Sequence, residues 1–347
     1  MSNNNEQKIR VAITHGDLNG VGYEVIIKTF ADSRMFDYCT PVLYGSTKVA
    51  SYHKKLLASV PQEIQFNAIR DAADAVPGRY NVINLTQEEI KIDLGKSTDV
   101  AGALSRESLN RACADLKAGK VDVLVTAPIN KRNIQADDFD FPGHTEYLSH
   151  QFGSSSLMLM VCDRIRIGIV TNHLALKDVP AALTHDLLLE KITLLDQSLK
   201  RDFGITTPKI AVLALDPHAG DDGVIGDFDK RVVRPVIDEV QSQGVLAYGP
   251  FPSDGFFGSS EFNKFDGVLA LYHDQGLIPF KLMSFTEGVN YTAGLPYVRT
   301  SPAHGTGYDI AGKDRASEQS FRSAVFLACN ILRNRREYDE LTANPLK

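Results

Sequence analysis

Three histidines of this chain occupy the same kind of place. His173, His218 and His273 each follow a short, nearly continuous apolar run, at 165–171, 209–215 and 267–271. Such runs read as strands buried on both faces, the form they take in a parallel sheet. Parallel strands end on one edge, so side chains far apart in sequence can converge there. Neutral imidazoles suit a divalent metal, and three protein ligands leave coordination positions open for a substrate. The spacing carries no local signature such as HExxH, so three unrelated imidazoles at loop starts stay open as the alternative on these residues alone.

The last histidine opens the densest stretch of reactive side chains. Tyr272, His273, Asp274 and Gln275 follow the strand end, where open α/β sheets hold their ligands. Gly276 reads as a turn, and Lys281, Asn290, Arg299 and His304-Gly305-Thr306-Gly307 come after it. Taken singly, His273 fits a core histidine, Lys281 a surface lysine and the glycines ordinary turns. Together they make a poor core and a good site. A second candidate is Phe141-Pro142-Gly143-His144-Thr145-Glu146 at the start of a helix. Its exposed N–H groups, with His144 and Thr145, suit a phosphate or carboxylate; the alternative is Thr145 as a plain N-cap.

These residues require elements to hold them. A first strand at 8–14 runs into His15-Gly16-Asp17-Leu18-Asn19-Gly20-Val21-Gly22-Tyr23-Glu24, and a helical pattern starts at once. Strand, glycine-rich turn and helix make a ligand-facing βα unit, with His15 and Asp17 at the strand end, although the turn is not GxGxxG. A strand at 40–45 precedes a helix from Ser46, and between 61 and 96 the pattern weakens into short extended pieces. A helix at 102–118 leads to a buried strand at 121–128, with Lys131 just beyond. Strands at 157–161 and 165–171 read as a pair in a second sheet. Helices follow at 185–203, 232–243 and 317–335, the last with Phe321, Ala324, Val325, Ala328 and Leu332 on one face.

Tyr272-His273-Asp274-Gln275-Gly276-Leu277, Gly288-Val289-Asn290, Gly294-Leu295-Pro296 and Arg299-Thr300-Ser301 with His304-Gly305-Thr306 resemble the 4-hydroxythreonine-4-phosphate dehydrogenase family of vitamin B6 synthesis. The closing loop, through Asp309 to Gly312, is similar to the HGxxxDIAG cofactor loop of isocitrate and isopropylmalate dehydrogenases. The likeness runs from Val11 to Gly312. It implies an isocitrate/isopropylmalate dehydrogenase-like α/β fold of two α/β/α lobes with a cleft between them. Residues 1–128 plus 300–347 would form the cofactor-side lobe, and 129–299 the metal, substrate and dimerisation lobe.

The resemblance also implies NAD- or NADP-dependent oxidation of a phosphorylated hydroxy acid, followed by loss of CO2. His173, His218 and His273 would hold one divalent metal (Zn, Mg, Co or Mn), the third histidine coming from the partner in a homodimer. His144, Thr145, Lys281, Asn290 and Arg299 would bind substrate. Lys281 and Asp254 would be catalytic, and His304, Gly305, Thr306 and Asp309 would meet the cofactor. The chain departs from the family at Leu18, Asn19 and Tyr23, at Asn172 in the first histidine motif and at Asp216 in the second. Two other functions stay open: a dehydrogenase for D-threonate or D-erythronate 4-phosphate, and a non-catalytic metal-binding regulator.

Composition narrows the classes. With 347 residues, 43% apolar and 23% charged, the chain is ordinary globular material, longer than one core usually supports. A net charge of −6 without basic blocks argues against nucleic acid, so an anionic substrate needs a local cluster of cations. Cys39, Cys113, Cys162 and Cys329 lack CxxC spacing and read as reduced thiols. The polar segment 1–7 has no apolar core, and no run approaches the ~20 residues that span a bilayer. A cytoplasmic protein with no membrane partner is expected.

Overall fold

In a computed structural model, residues 8–136 and 139–343 are described; the polar leader 1–7 lies outside them. The chain forms two units, Met1–Tyr147 with Tyr297–Leu332, and Leu148–Pro296 with Arg333–Lys347. The first boundary falls after 147 instead of 128 because the segment beyond residue 128 is bonded into the first unit. Asn133 Nδ2 donates to Asp17 Oδ2 at 2.8 Å and to Thr98 O at 3.0 Å. The end of the last helix, Gln319–Thr342, belongs to the second unit. There Arg335 Nε donates to Asp202 Oδ1 at 2.6 Å and Arg335 Nη2 to Tyr291 Oη at 3.0 Å, all three groups being buried.

The first unit holds β1 (Arg10–Thr14), β2 (Thr40–Gly45), β3 (Phe66–Ile69), β4 (Tyr80–Asn84) and β5 (Val123–Thr126). The second holds β6 (Leu157–Cys162), β7 (Ile165–Ile169), β8 (Lys209–Leu213), β9 (Leu246–Phe251), β10 (Gly267–Ala270) and β11 (Val289–Ala293). β12 (Arg299–Pro302) returns to the first unit.

In the first unit the order β3-β4-β2-β1-β5-β12 is parallel throughout. Its central strands β1, β2 and β5 are the buried apolar runs of the sequence. β3 is half-buried along its length, so it carries no such run. The helix Asp99–Lys117 starts where Thr98 Oγ1 accepts from Ala101 N at 3.3 Å, and it buries Leu109, Ala112, Cys113 and Leu116.

In the second unit the order is β11-β6-β7-β10-β8-β9. β7, β10, β8 and β9 run parallel, while β6 is antiparallel to β7 and β11. Ala270 lies opposite Ile169, and the pairing continues past the strands: Val170 N donates to Ala270 O at 2.9 Å and Thr171 Oγ1 to Leu271 O at 2.8 Å. His173 and His273 therefore leave neighbouring strands on the same edge.

Gly276 is not a turn. It lies inside the helix His273–Met283, three residues from its start. A Cβ there would meet Ile169 Cδ1, with Ile167 Cγ2 at 2.9 Å and Ala270 Cβ at 3.0 Å. The glycine serves close packing of that helix on β7 and β10.

Candidate active site

A cavity of about 290 Å³ in the second unit is lined by Asn172, His173, Leu174, Tyr272, His273 and Asp274, among others. The His173 and His273 rings stand 5.6 Å apart, tilted by 38°. Asp274 Oδ1 lies 2.7 Å from His273 Nδ1. A carboxylate on Nδ1–H fixes the tautomer that presents Nε2 as a lone-pair donor, the usual support of a metal-binding histidine. Two imidazoles facing one cavity, one of them so oriented, suit a borderline divalent ion.

His218 is elsewhere. It is exposed on the turn Pro217–Gly223, where His218, Ala219, Gly220, Asp221 and Asp222 all have left-handed backbone. Asp229 holds the base of this turn, its carboxylate accepting from Leu215 N and Asp216 N at 2.8 Å each. Asp216 packs on the backbone of Gly226, where a side chain would collide with its carboxylate. Among the described residues, no three His, Cys, Asp or Glu side chains of one chain gather closely enough to hold a metal. Thus two of the three expected ligands come together and the third does not join them.

Asp254 is exposed on the helix Ser253–Gly258, and Lys281 is exposed in the last turn of His273–Met283. Asn290, half-buried in β11, carries a buried Oδ1 without a hydrogen-bond partner. None of these three lines the cavity.

The first unit assembles a different environment. Arg299 lies within β12 and is only 2% exposed; its Nη2 donates to Thr126 Oγ1 at 2.6 Å, at the end of β5. Burial lowers the guanidinium pKa to about 10, with the Glu146 carboxylate opposing the shift. His144 starts the helix His144–Phe152, and its Nε2 is buried without a partner. Desolvation holds this imidazole well below its ordinary pKa, and the charges of Arg299 and Lys131 add to the effect. Thr145 beside it is buried. A buried cation and a neutral imidazole beside a helix start form an environment suited to an oxyanion.

The loop from His304 to Asp309 is mounted on the glycine-rich turn after β1. Val21 N donates to Thr306 O at 2.9 Å, and a Cβ on Gly20 would lie 3.2 Å from Thr306 Cβ. Gly307, with φ 55°, would likewise meet Val21 at 2.9 Å. Tyr308 Oη donates to Asp17 Oδ2 at 2.7 Å. His304, Gly305 and Asp309 remain exposed, and a Cβ on Gly305 would face open space. A firmly mounted loop with accessible backbone suits a dinucleotide phosphate or ribose.

The turn after β1 differs in role from its sequence reading. Asp17 is fully buried and accepts from Asn19 N, Asn133 Nδ2 and Tyr308 Oη, so it joins three loops. Asn19 extends the scaffold: its Nδ2 donates to Lys96 O at 3.0 Å and to Thr98 Oγ1 at 3.1 Å. His15 is buried and stacks on Tyr23, which stacks on His53. Leu18 is buried too. The orienting role of Asp274 and the buried amide oxygen of Asn172 had no distinct signal in the sequence.

Residues 37–328 match the family model described as pyridoxal phosphate biosynthetic protein PdxA. A 4-hydroxythreonine-4-phosphate dehydrogenase of Bacteroides thetaiotaomicron is 47% identical over 344 residues, covering 99% of this chain and 94% of the relative. A D-threonate 4-phosphate dehydrogenase of Pectobacterium atrosepticum is 35% identical over 325 residues, covering 92% and 98%. The crystal structure of 4-hydroxythreonine-4-phosphate dehydrogenase from Klebsiella pneumoniae matches with a TM-score of 0.81 at 33% identity, over 94% of this chain and 99% of that one. Model and relatives span both units. The chain belongs to the PdxA family of pyridoxal phosphate biosynthetic proteins.

Proposed function

We propose that this chain oxidises 4-phosphohydroxy-L-threonine with NAD or NADP, giving 2-amino-3-oxo-4-phosphooxybutanoate, which loses CO2 to yield 3-amino-2-oxopropyl phosphate. The observation that carries the reading is the 47% identity, along almost the whole chain, to an enzyme of that name, with His173 and His273 both lining a cavity at the sheet edge. The 35% relative that acts on D-threonate 4-phosphate keeps that compound, and D-erythronate 4-phosphate, as a second reading.

His173 and His218 of one chain would hold a divalent metal together with a His273 contributed by the other copy. When bound, the metal supplies Lewis acidity to the substrate hydroxyl and the carbonyl formed from it. The nicotinamide supplies the hydride acceptor, with His304, Gly305, Thr306 and Asp309 as its contacts. We place the complete ligand set in a homodimer, His273 serving the partner's site. Each histidine segment carries exposed apolar side chains: Leu174 and Leu176 after His173, Val224 and Ile225 after His218, and Ile278, Leu282 and Phe285 after His273. Exposed apolar surface of this kind is what an interface between copies covers.

The remaining roles follow from charge and hydrogen bonding. Arg299, with His144 and Thr145, holds the anionic end of the substrate, and Asn290 contributes its amide oxygen. Lys281 offsets the charge that develops on the reacting carbons as CO2 leaves. Asp254 positions the amine or passes a proton. The test is an assay of both substrates with both nucleotides on chelated and metal-reloaded protein. Metal-dependent oxidation of the amino substrate is expected; none with any metal and either nucleotide overturns the reading.

A further inference from the structure

We propose that His53 is a positioning residue for the nucleotide, holding the turn after β1 on which the loop from His304 to Asp309 is mounted. The inference rests on the reading above, in which that loop meets the nicotinamide nucleotide. His53 lies in the last turn of the helix Thr47–Lys55 and is only 2% exposed. Its Nε2 stands 3.0 Å from Leu18 O, in the middle of the turn. A carbonyl oxygen only accepts, so this nitrogen carries a proton and donates it. Leu18 is buried as well, and water is poorly placed to replace a bond lost there.

Tyr23 keeps the imidazole in place. The two rings stack with centroids 5.0 Å apart and planes 14° apart. Tyr23 Oη accepts from Ser46 N at 3.1 Å, and Ser46 Oγ caps the helix of His53 by accepting from Val49 N. One tyrosine thus holds that helix at its start and near its end. Its hydroxyl fits because residue 45 is glycine: a Cβ there would collide with Tyr23 Oη. The turn in its own right carries the loop, through Val21 N to Thr306 O and through Asp17 Oδ2 from Tyr308 Oη. Leu18 lies between those two anchors. The side chain of Asp17 joins loops to one another, whereas His53 ties the turn to a helix packed on β3 and on the helix Gly22–Ala31. A turn released at Leu18 lets the loop drift, and the contact that suffers is the one the loop makes.

Two variants separate the hydrogen bond from the bulk of the ring. His53→Phe keeps a ring in the stack and removes the donor, while His53→Gln gives up the ring and keeps an Nε2 donor. We would titrate wild type and variants with NADH and NADPH by the fluorescence of the reduced nicotinamide. In metal-loaded enzyme we would measure kcat and the KM of nucleotide and of 4-phosphohydroxy-L-threonine. His53→Phe should weaken nucleotide binding and raise nucleotide KM about tenfold, the scale of one buried hydrogen bond, with kcat and the other KM within about twofold. His53→Gln should recover most of that loss. Nucleotide affinity of His53→Phe within about twofold of wild type, far below the loss of a buried bond, overturns the proposal even if thermal stability falls. Equal losses in both variants overturn it too, because the ring and not the donor would then matter. Should His53→Phe fail to fold, the milder Tyr23→Phe, which frees only the Ser46 end of the helix, should weaken nucleotide binding about threefold, and unchanged affinity there overturns the proposal. Gly305→Ala, on the loop itself, tells the two levels apart. If it weakens nucleotide binding and His53→Phe does not, the loop reading stands and only the role of His53 falls. If neither does, the nucleotide lies elsewhere and both fall.

Discussion

An imidazole removed from water is a weaker base, and two such rings flank Tyr23. His15 and His53 are buried, and desolvation lowers each to a pKa of about 4. In the unfolded chain both titrate near 6.5, so between pH 6.5 and 4 the unfolded state binds the extra protons. The stability these rings contribute is complete above pH 6.5 and is lost as pH falls toward 4. Each ring should remove about 2 kcal/mol between pH 7 and pH 5. Denaturant unfolding at the two pH values checks this: His15→Phe, which keeps a ring in the stack, should lose less than wild type by about that amount. Equal losses would mean that His15 is not buried as a neutral ring. The stack was not legible in sequence. Tyr23 stood out only as a departure from the family, and its partner His53 lies on a helix thirty residues away. Lys281 is the opposite case, conspicuous in sequence and merely exposed in the folded chain. If it stabilises charge on the reacting carbons, Lys281→Ala should lower kcat on the order of a hundredfold, and a loss within about twofold removes the assignment.

Elements were legible where the physics is local. Strands buried on both faces announce themselves as apolar runs, which is why β1, β2, β5, β8 and β10 could be found by reading. Helix-to-strand spacing does not announce itself. Gly276 looks like a turn in sequence, yet its missing Cβ is what lets the helix His273–Met283 lie on Ile167, Ile169 and Ala270. β3 shows in the sequence only as one of the short extended pieces between 61 and 96, and β11 was missed, because a half-buried or mixed strand lacks the continuous run. Two glycines separate packing from ligand access. Gly276→Ala gains about 1 kcal/mol in helix propensity but overpacks by about 1–3 kcal/mol, so thermal unfolding should occur at lower temperature. Gly305→Ala meets nothing within 4 Å and should leave the unfolding temperature unchanged, while raising KM for the nucleotide. A Gly305→Ala enzyme with unaltered nucleotide KM would place the cofactor elsewhere.

Across the molecule, the unanswered part of the sequence reading was how three strand-end histidines combine. Spacing could not say, because convergence depends on strand order and on which chain supplies each ring. The fold brings His173 beside His273 through the pairing of β7 with β10, while the left-handed turn holds His218 at another place. A ligand set completed by a second copy is testable through subunit exchange. His173→Ala and His273→Ala should each be inactive alone. In a mixed dimer with His273 donated across the interface, one site carries both lesions and the other carries neither. Mixing should therefore restore activity, approaching half of the wild-type value per heterodimer, and Co2+ should titrate to one tight site per heterodimer. If all three ligands came from one chain, every site in the mixture would keep a lesion. No recovery, once exchange has been verified by differently tagged subunits, would assign the metal to a single chain and leave the exposed apolar residues around the histidines in need of another explanation.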